Sequence, residues 1–386
     1  MVRKVSFRIF LLLIIGLLIF RGIHDYRSSY EYSLTKRAEF SAKKNKNIHV
    51  AVVGDLKGDS GFLDGVMLAV EEINKQGIEL RTGKDSIKSR LVIHKFDDST
   101  EESALKARLA IVADYRIIAV LGHSSSATAI PASISYEYNG VLFISTFATH
   151  PVLTDHGFKY TFSIIPAETS FINAVLRFCK ERNWHKLVVL HARNPYGNEF
   201  YEQLATELEK PLEIVYVKSF FVAQADYKSI IYEVMKKDFD VVVLAARNKN
   251  AANMIEQLRD MGVDVPIIGG DVLDNLKIWD WSKQTANQTY VASVFVGQLD
   301  FVNKFKQALG LDANYQSYQG YEAVNVLADA LRKTGSAEPI RLSSTLKYKY
   351  KPGYGGYVFD TNGLVVSKNV YIKQMKDGKF KMVNQE

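Results

Sequence analysis

The most informative stretch of this sequence is a glycine followed by a cluster of hydroxyl side chains. Residues 122–128 (GHSSSAT, the serine turn) lie between an apolar, β-branched run, Ile117–Leu121, and a helix that the pattern predicts from about Ala129. Hydroxyl groups and main-chain N–H groups at the N-terminus of a helix bind anions such as carboxylates. Three serines and Thr128 exceed what one helix cap needs, so the turn is a candidate binding site. The alternative, that the serines only cap the helix, stays open at this point.

The elements around the serine turn alternate in the way of a parallel sheet. Short runs rich in valine and isoleucine are followed by segments with apolar residues at helical spacing, which is the pattern of a doubly wound α/β sheet. A second hydroxyl-bearing turn follows Ser145, again at the carboxyl end of a predicted strand, where α/β proteins bind ligands. The predicted strands are Ile48–Val53, Ser89–Phe96, Ile117–Leu121 and Val141–Ser145, and the helices before the serine turn are Asp64–Gln76 and Glu101–Ala113.

After Pro166, which we interpret as a hinge, the alternation starts again and continues to Val296. One sheet that covers both series would be unusually wide. We therefore predict an α/β fold with two doubly wound parallel-sheet lobes and a boundary near Pro166. Two helices, Phe301–Leu309 and Tyr318–Thr334, follow, and residues 355–378 predict antiparallel strands with tight turns.

The N-terminus predicts attachment to a membrane. Three basic residues precede the apolar run Ile9–Phe20, and no small-residue cleavage site follows it. Residues 1–23, with arginines near both ends, predict an uncleaved signal anchor, and a cleaved signal peptide is the alternative. Residues 24–47 are polar and predict a tether. The large domain is then expected on the periplasmic or extracellular side of the inner cell membrane, held by a single N-terminal span.

The net charge of +7 belongs to this N-terminal part. Residues 1–50 hold ten of the 49 Lys and Arg residues and three of the 42 Asp and Glu residues, so the rest of the chain carries 39 of each kind. A neutral globular part has no basic patch to explain, which argues against nucleic acid as a partner.

No motif predicts catalysis, a metal or a cofactor. The serine turn lacks the Gly-x-Ser-x-Gly pattern of a hydrolase nucleophile, and Gly83-Lys84-Asp85 lacks the flanking residues of a phosphate-binding loop. No cysteine and histidine cluster has zinc-ligand spacing, and the one cysteine, Cys179, is best explained as a buried apolar residue. The sequence therefore predicts a protein that is not an enzyme.

From about residue 48 to the C-terminus the chain resembles the bacterial leucine/isoleucine/valine-binding proteins, which are type I periplasmic (solute) binding proteins of ABC transporters. The resemblance implies a clamp that the chain crosses three times, with residues 48–165 and about 298–351 in lobe 1 and residues 166–297 and about 352–386 in lobe 2. The segments that carry it are Gly122 to Ala132, Ser145 to Pro151, Asn194 to Gly197, Asp55 to Asn74, and Phe96 to Asp98.

The resemblance also implies where a ligand lies. In amino-acid-binding members, groups of the first lobe hold the ligand carboxylate, and their counterparts here are Ser126, beside Ser125, and the main chain of Ala148 with Thr149. A carboxylate of the second lobe takes the ammonium group, and Asp271 is its candidate counterpart. The chemistry is coherent by itself, because an α-amino acid needs an anion site that faces a buried carboxylate.

Three further positions are expected to shape the pocket. Tyr196 matches a cleft tyrosine that packs on the ligand, and Phe147 replaces a small residue typical of its turn, which would shrink the pocket. Arg247 stands where the family usually has an aromatic or small residue. It is either an exposed side chain, a partner of Asp271, or a contact for an acidic ligand side chain. If it pairs with Asp271, another carboxylate or an amide replaces the zwitterion as the expected ligand.

The predicted function is that of an extracytoplasmic substrate-binding protein of an ABC-type importer. It would bind an amino acid or a related small carboxylate or amide by clamp closure, and its partners would be that ligand, the permease and ATPase subunits, and the membrane. The alternative is a membrane-anchored sensor whose closed clamp is read by a signalling partner.

Overall fold

The computed structural model describes residues 15–22, 25, 30–42, 46–56, 61–82, 85–222, 224–351 and 353–383. Two β-sheets with helices packed against them form two lobes. In the first sheet, Val50 and Val52 belong to one apolar cluster, whereas Ala51 and Val53 belong to another on the opposite face. Burial on both faces explains why these strands are continuously apolar.

Among the described residues, the first lobe has a six-stranded sheet with the order β2-β3-β1-β4-β5-β6. Its central strands are parallel, as predicted, and β2 pairs antiparallel with β3 at one edge. This hairpin was not predicted, because the first residues of β3 are polar and mostly exposed. The strands are β1 (Asn47–Gly54), β2 (Ile78–Thr82), β3 (Asp85–Asp97), β4 (Ile117–Gly122), β5 (Leu142–Ser145) and β6 (Thr161–Ser163).

The second lobe has a seven-stranded sheet in the described part of the chain, with the order β13-β12-β11-β10-β9-β7-β8. Strands β7 to β11 are parallel, and β12 and β13 add an antiparallel hairpin at the edge. The strands are β7 (Lys186–Ala192), β8 (Glu213–Phe220), β9 (Val241–Ala245), β10 (Ile267–Gly269), β11 (Thr289–Ser293), β12 (Tyr371–Lys376) and β13 (Lys379–Met382).

The helices connect these strands and cover the sheets. α3 begins with a reciprocal pair of bonds, in which the side chain of Thr100 accepts from the Ser103 N–H and the side chain of Ser103 accepts from the Thr100 N–H. The helices are α1 (Tyr30–Ala42), α2 (Phe62–Gln76), α3 (Glu101–Ala113), α4 (Ser126–Asn139), α5 (Val152–Asp155), α6 (Glu168–Glu181), α7 (Pro195–Glu207), α8 (Lys228–Met235), α9 (Asn248–Asp260), α10 (Lys277–Trp281), α11 (Leu299–Leu309), α12 (Tyr315–Thr334) and α13 (Pro339–Tyr348).

Two glycines bring α12 into close contact with α2. A Cβ atom on Gly65 would lie 1.8 Å from the Ser317 carbonyl oxygen, and one on Gly320 would lie 2.3 Å from the Phe62 carbonyl oxygen. Only glycine permits this approach. The contact fixes the start of α12, which reaches the cavity between the lobes, relative to the first sheet.

The chain crosses between the two sheets' lobes three times. It enters the second lobe before α6 and returns to the first lobe with α11, where Lys304 forms an ion pair with Glu72 of α2. The third crossing comes later than the predicted boundary near residue 352. Phe359 packs on Phe162 at 5.4 Å between ring centroids, and Leu364 pairs with β6, so this segment still belongs to the first lobe.

Part of the predicted tether, residues 24–47, is instead the helix α1, which docks on the first lobe. Arg37 is 1% exposed, and burial lowers its pKa to about 10, which leaves it a cation at neutral pH. Carbonyl groups at helix ends lack intrahelical donors, so a buried cation suits them. Its guanidinium donates to the main-chain oxygens of Val112, Asp114, Ile117 and Asn139, at the ends of α3 and α4 and the start of β4.

No helix within the described residues is long and apolar enough to cross a membrane. Of the predicted anchor, residues 15–22 are helical and exposed, whereas residues 1–14 and 23 lie outside the described ranges. The anchor stays a prediction.

Candidate functional site

A cavity of about 530 Å³ lies between the two lobes, at the carboxyl ends of both parallel sheets. Residues that follow β3, β4 and β5 line it from the first lobe, among them Ser99, Ser125 and Phe147. Residues that follow β9 and β10, Arg247 and Asp271, line it from the second lobe. A concave site of this volume with a few converging polar groups suits a small molecule.

The serine turn is held in place by a buried carboxylate, Asp98, which follows β3. One oxygen of Asp98 accepts three hydrogen bonds of 2.9 Å, from the ring of His123, the main-chain N–H of Ser124 and the hydroxyl of Thr128. Burial acts to raise the pKa of Asp98, but the donors from His123 and Ser124 outweigh it and hold the pKa below its usual value. The far nitrogen of His123 lies 3.0 Å from the hydroxyl of Tyr136, which makes this network continuous with the core.

The serines of the turn divide between the cavity and the protein. Ser124 and Ser125 line the cavity, whereas Ser126, the predicted carboxylate ligand, is not among its lining residues and accepts a 3.4 Å bond from the N–H of His150. α4 begins at Ser126 rather than near Ala129, and its N-cap is Ser125. The Ser125 hydroxyl lies 3.2 Å from that of Thr128 and accepts no main-chain N–H of α4, so the N–H groups of this first turn are not capped by Ser125 and suit an anion.

The second hydroxyl-bearing turn of the first lobe is tied to the start of the second lobe. The hydroxyl of Thr149 donates to the Glu168 carboxyl group, and the carbonyl of Thr149 accepts from the Glu168 N–H at 2.8 Å. Thr149 and Ala148 are buried and do not line the cavity, whereas Phe147 does, against Phe62 and Tyr315. This turn therefore presents an aromatic ring to the cavity.

Asp271 begins a short 3-10 turn directly after β10 and is 3% exposed. The hydroxyl of Tyr315 donates to one carboxylate oxygen at 3.1 Å, and the other oxygen has no hydrogen-bond partner among the described residues. Burial raises the pKa of Asp271 to about 6, partly offset by the charge of Arg247 and the bond from Tyr315. Buried Glu168 has a pKa raised to about 8, because of burial and the nearby charge of Asp271. An added cation would stabilise the ionised form of Asp271.

Arg247 follows β9 and lies over the ring of Tyr196, with its guanidinium carbon 4.8 Å from the ring centroid. Within the described part of the chain no carboxylate lies within 4.0 Å of it, so the direct Arg247–Asp271 ion pair that the sequence left open is not formed. The electron-rich face of Tyr196 holds the cation instead. Tyr196 itself does not line the cavity, and its hydroxyl lies near Gly270, next to Asp271.

A family model described as periplasmic binding protein matches residues 47–379, which include both lobes and the cavity between them. The chain belongs to this family. It is a type I periplasmic binding protein of the leucine/isoleucine/valine-binding kind, as the resemblance implied, and such proteins are substrate-binding proteins of transporters, not enzymes.

Related sequences share most of the length of this binding protein. It is 25% identical over 311 residues to the leucine-, isoleucine-, valine-, threonine-, and alanine-binding protein of Pseudomonas aeruginosa, covering 78% of this chain and 80% of that one. It is 26% identical over 319 residues to the leucine-specific-binding protein of Salmonella typhimurium, with coverage of 78% and 83%.

Solved structures agree with this assignment. An ABC transporter substrate-binding protein from Desulfitobacterium hafniense, in complex with Leu, is 27% identical with a TM-score of 0.76, covering 87% of this chain and all of that chain. The branched-chain amino acid transporter substrate binding protein LivJ from Streptococcus pneumoniae, in complex with isoleucine, has a TM-score of 0.78 over 88% and 99% of the chains. Its identity of 22% shows the fold alone.

The lobes of this binding protein touch across the cavity. Besides the Tyr315–Asp271 bond, the side-chain amide of Gln316 donates to the carbonyl of Asp274 at 3.3 Å. On another side, a ring nitrogen of His150 lies 3.1 Å from a carboxylate oxygen of Glu199. These contacts join the two walls of the site without filling the space between them.

Sequence reasoning missed three residues of this site. Asp98 was part of the resemblance but received no role, although its place after a predicted strand was a usable signal. Tyr315 precedes the predicted start of its helix at Tyr318, and Glu168 follows the predicted hinge. Their roles depend on contacts between segments far apart in the chain.

Proposed function

We propose that this chain is the extracytoplasmic substrate-binding protein of an ABC-type importer, and that it binds an amino acid or a related small carboxylate or amide by lobe closure. The observation that carries the proposal is that two complementary kinds of group lie on opposite walls of one cavity. The serine turn, which suits an anion because it lies at the start of α4, faces the buried carboxylate of Asp271, and one oxygen of this carboxylate has no hydrogen-bond partner among the described residues.

The first-lobe wall suits the ligand's α-carboxylate. Ser124 and Ser125 line the cavity beside the N-terminus of α4, whose main-chain dipole is positive at that end. The turn is already fixed by Asp98, so little conformational entropy is lost when a ligand binds.

The second-lobe wall suits the ligand's ammonium group. The free oxygen of Asp271 is buried, and a buried carboxylate is costly unless it is paired with a cation and hydrogen-bonded. An ammonium group would supply both the charge and the donor. Because the two walls belong to different lobes, one zwitterionic ligand would hold the lobes together.

The relatives support the class of ligand and the partners. Their names state that they bind leucine and other amino acids or serve ABC transporters. For this chain we accordingly assign permease and ATPase subunits as partners and residues 1–23 as a membrane anchor that keeps the domain outside the cytoplasm. Because the identity is near 25%, we do not infer the ligand's side chain from these relatives.

A thermal-shift panel on the full-length protein, freed of ligand, tests the proposal. The panel contains the standard amino acids, their amides and small mono- and dicarboxylates. At a thousandfold excess over Kd, a true ligand adds about 4 kcal/mol to the free energy of unfolding and raises Tm by several degrees. Nucleosides and neutral sugars are the matched negative set. A panel in which no amino acid, amide or carboxylate shifts Tm would refute the proposal.

A further inference from the structure

The cavity contains a guanidinium that the α-groups of an amino acid do not use. With the α-carboxylate at Ser124 and Ser125 and the ammonium group at Asp271, Arg247 still faces the remaining space. Much of the second-lobe wall around it is polar, and a pocket for a branched aliphatic side chain would be apolar. The neighbours of Arg247 in this wall are Lys249, Asn250 and Asn275, beside Trp281.

Arg247 is held in position without a protein anion. Its guanidinium stacks on Tyr196 at 4.8 Å, and in the described residues no carboxylate approaches within 4.0 Å. A stacked guanidinium keeps its donor edge available, and its planar fork matches a carboxylate through two parallel hydrogen bonds. The side chain is therefore pre-organised for an anionic group inside the cavity.

The charges near Arg247 change when an amino acid binds. In the empty site the charge of Arg247 is balanced at longer range by Asp271, as its effect on that carboxyl shows. An ammonium group on Asp271 would neutralise that carboxylate, and Arg247, which is half-buried, would lose this counter-charge while the ligand's α-carboxylate lies on the opposite wall. Asp55 is the other carboxylate among the described residues that line the cavity, on the first-lobe wall, and the buried Glu168 is close enough to Asp271 for their charges to interact. A second carboxylate on the ligand would restore the balance, whereas an aliphatic side chain would not.

We propose that the ligand is an acidic amino acid of the aspartate and glutamate class, and that Arg247 selects it by receiving the side-chain carboxylate. This rests on the proposed function, because it assumes that the α-groups occupy Ser124, Ser125 and Asp271. Lys249, which is exposed at the same wall, would add to the attraction of anions at longer range.

Isothermal titration calorimetry with near-isosteric pairs tests this proposal on the full-length protein. Aspartate and glutamate should bind at least about tenfold more tightly than asparagine and glutamine, because only the acids compensate the guanidinium. Arg247→Met should lower the affinity for the acids on the order of a hundredfold and leave the amides within about threefold. The acid-to-amide ratio is thus the readout, and a general loss of folding would not change it.

Two further variants are controls. Arg247→Lys keeps the charge but loses the planar fork, and it should show an intermediate acid-to-amide ratio. Lys249→Met removes the same charge from the same wall and should cost the acids less than Arg247→Met, with a loss that salt screens. If leucine or glutamine binds the wild type as tightly as glutamate, the acidic-ligand proposal is overturned and the proposed function stands. If no amino acid, amide or small carboxylate binds at all, the proposed function itself fails.

Discussion

The two lobes present opposite kinds of chemistry to the same cavity. The first lobe offers neutral donors, the hydroxyls of Ser124 and Ser125 beside the N-terminus of α4, in a turn that Asp98 fixes. The second lobe offers charges, Asp271 and Arg247, of which neither is fully paired within the described residues. The first wall would recognise the α-carboxylate that amino acids share, and the second would recognise the ammonium group and the side chain. Changes in the first wall should therefore weaken all ligands alike, and changes in the second should be selective.

The largest effect should come from Asp271→Asn. It removes the counter-charge of a buried ammonium group, so affinity for amine-bearing ligands should fall on the order of a hundredfold or more in calorimetry. Asp280→Asn, on an exposed side chain of α10, is the matched control and should bind like the wild type. Unchanged affinity in Asp271→Asn would show that this residue does not contact the ligand, and it would contradict the claim that the second lobe binds the ammonium group by charge.

Asp98→Ala should weaken binding less, but for every ligand. It removes the acceptor of three hydrogen bonds, which frees the serine turn and costs roughly 3 kcal/mol of folding free energy. Affinity should fall about tenfold for acids, amides and aliphatic amino acids alike. Asp98→Asn keeps the shape and should restore part of both losses. A loss confined to one class of ligand would contradict a general carboxylate site on the first lobe.

Acidification should act through the second lobe. Binding of an ammonium group requires ionised Asp271, whose pKa is raised to about 6 by burial. Affinity for amino acids should therefore fall by up to about tenfold per unit as the pH drops below 6. Calorimetry between pH 5 and pH 8 measures this trend, and a flat profile would contradict an ionised Asp271 in the complex.

The stability of the ligand-free protein should change in the opposite direction. Asp271 and Glu168 have a higher pKa in the folded than in the unfolded state, so the folded state binds more protons and is stabilised at low pH. This stability is lost as the pH rises through about 6 and then about 8. Urea unfolding of the wild type and Glu168→Gln at pH 5, 7 and 9 separates the contribution of Glu168. If the free energy of unfolding changed with pH in the same way in both proteins, the burial of Glu168 as a neutral acid would be contradicted.

The sequence predicted the architecture well, because burial on both sheet faces leaves a clear mark. The runs Ile117–Leu121 and Val141–Ser145 are continuously apolar, and both are strands of the first sheet. The serine turn and Asp271 were predicted at carboxyl ends of strands, and both line the cavity. Strand ends in a parallel sheet converge without knowledge of any side-chain contact.

The remaining features depend on contacts that spacing does not encode. Arg37 docks α1 through main-chain carbonyl groups, which every residue has, so a polar segment gave no signal of packing. Ser126 was predicted as the carboxylate ligand, but α4 begins at Ser126 instead of near Ala129, and Ser124 and Ser125 line the cavity. The contact partner of Arg247 could not be predicted for the same reason, because a guanidinium binds both aromatic ring faces and carboxylates and the sequence does not show which of them lies next to it.

The claim that one ligand bridges two different walls has a direct test. Calorimetry would compare the tightest-binding amino acid with its des-amino analogue, a carboxylic acid of the same skeleton, on the wild type and on Asp271→Asn. The account predicts that the wild type prefers the amino acid on the order of a hundredfold and that this preference largely disappears in Asp271→Asn. An equal preference in both proteins, or tight binding of the des-amino analogue to the wild type, would contradict the account.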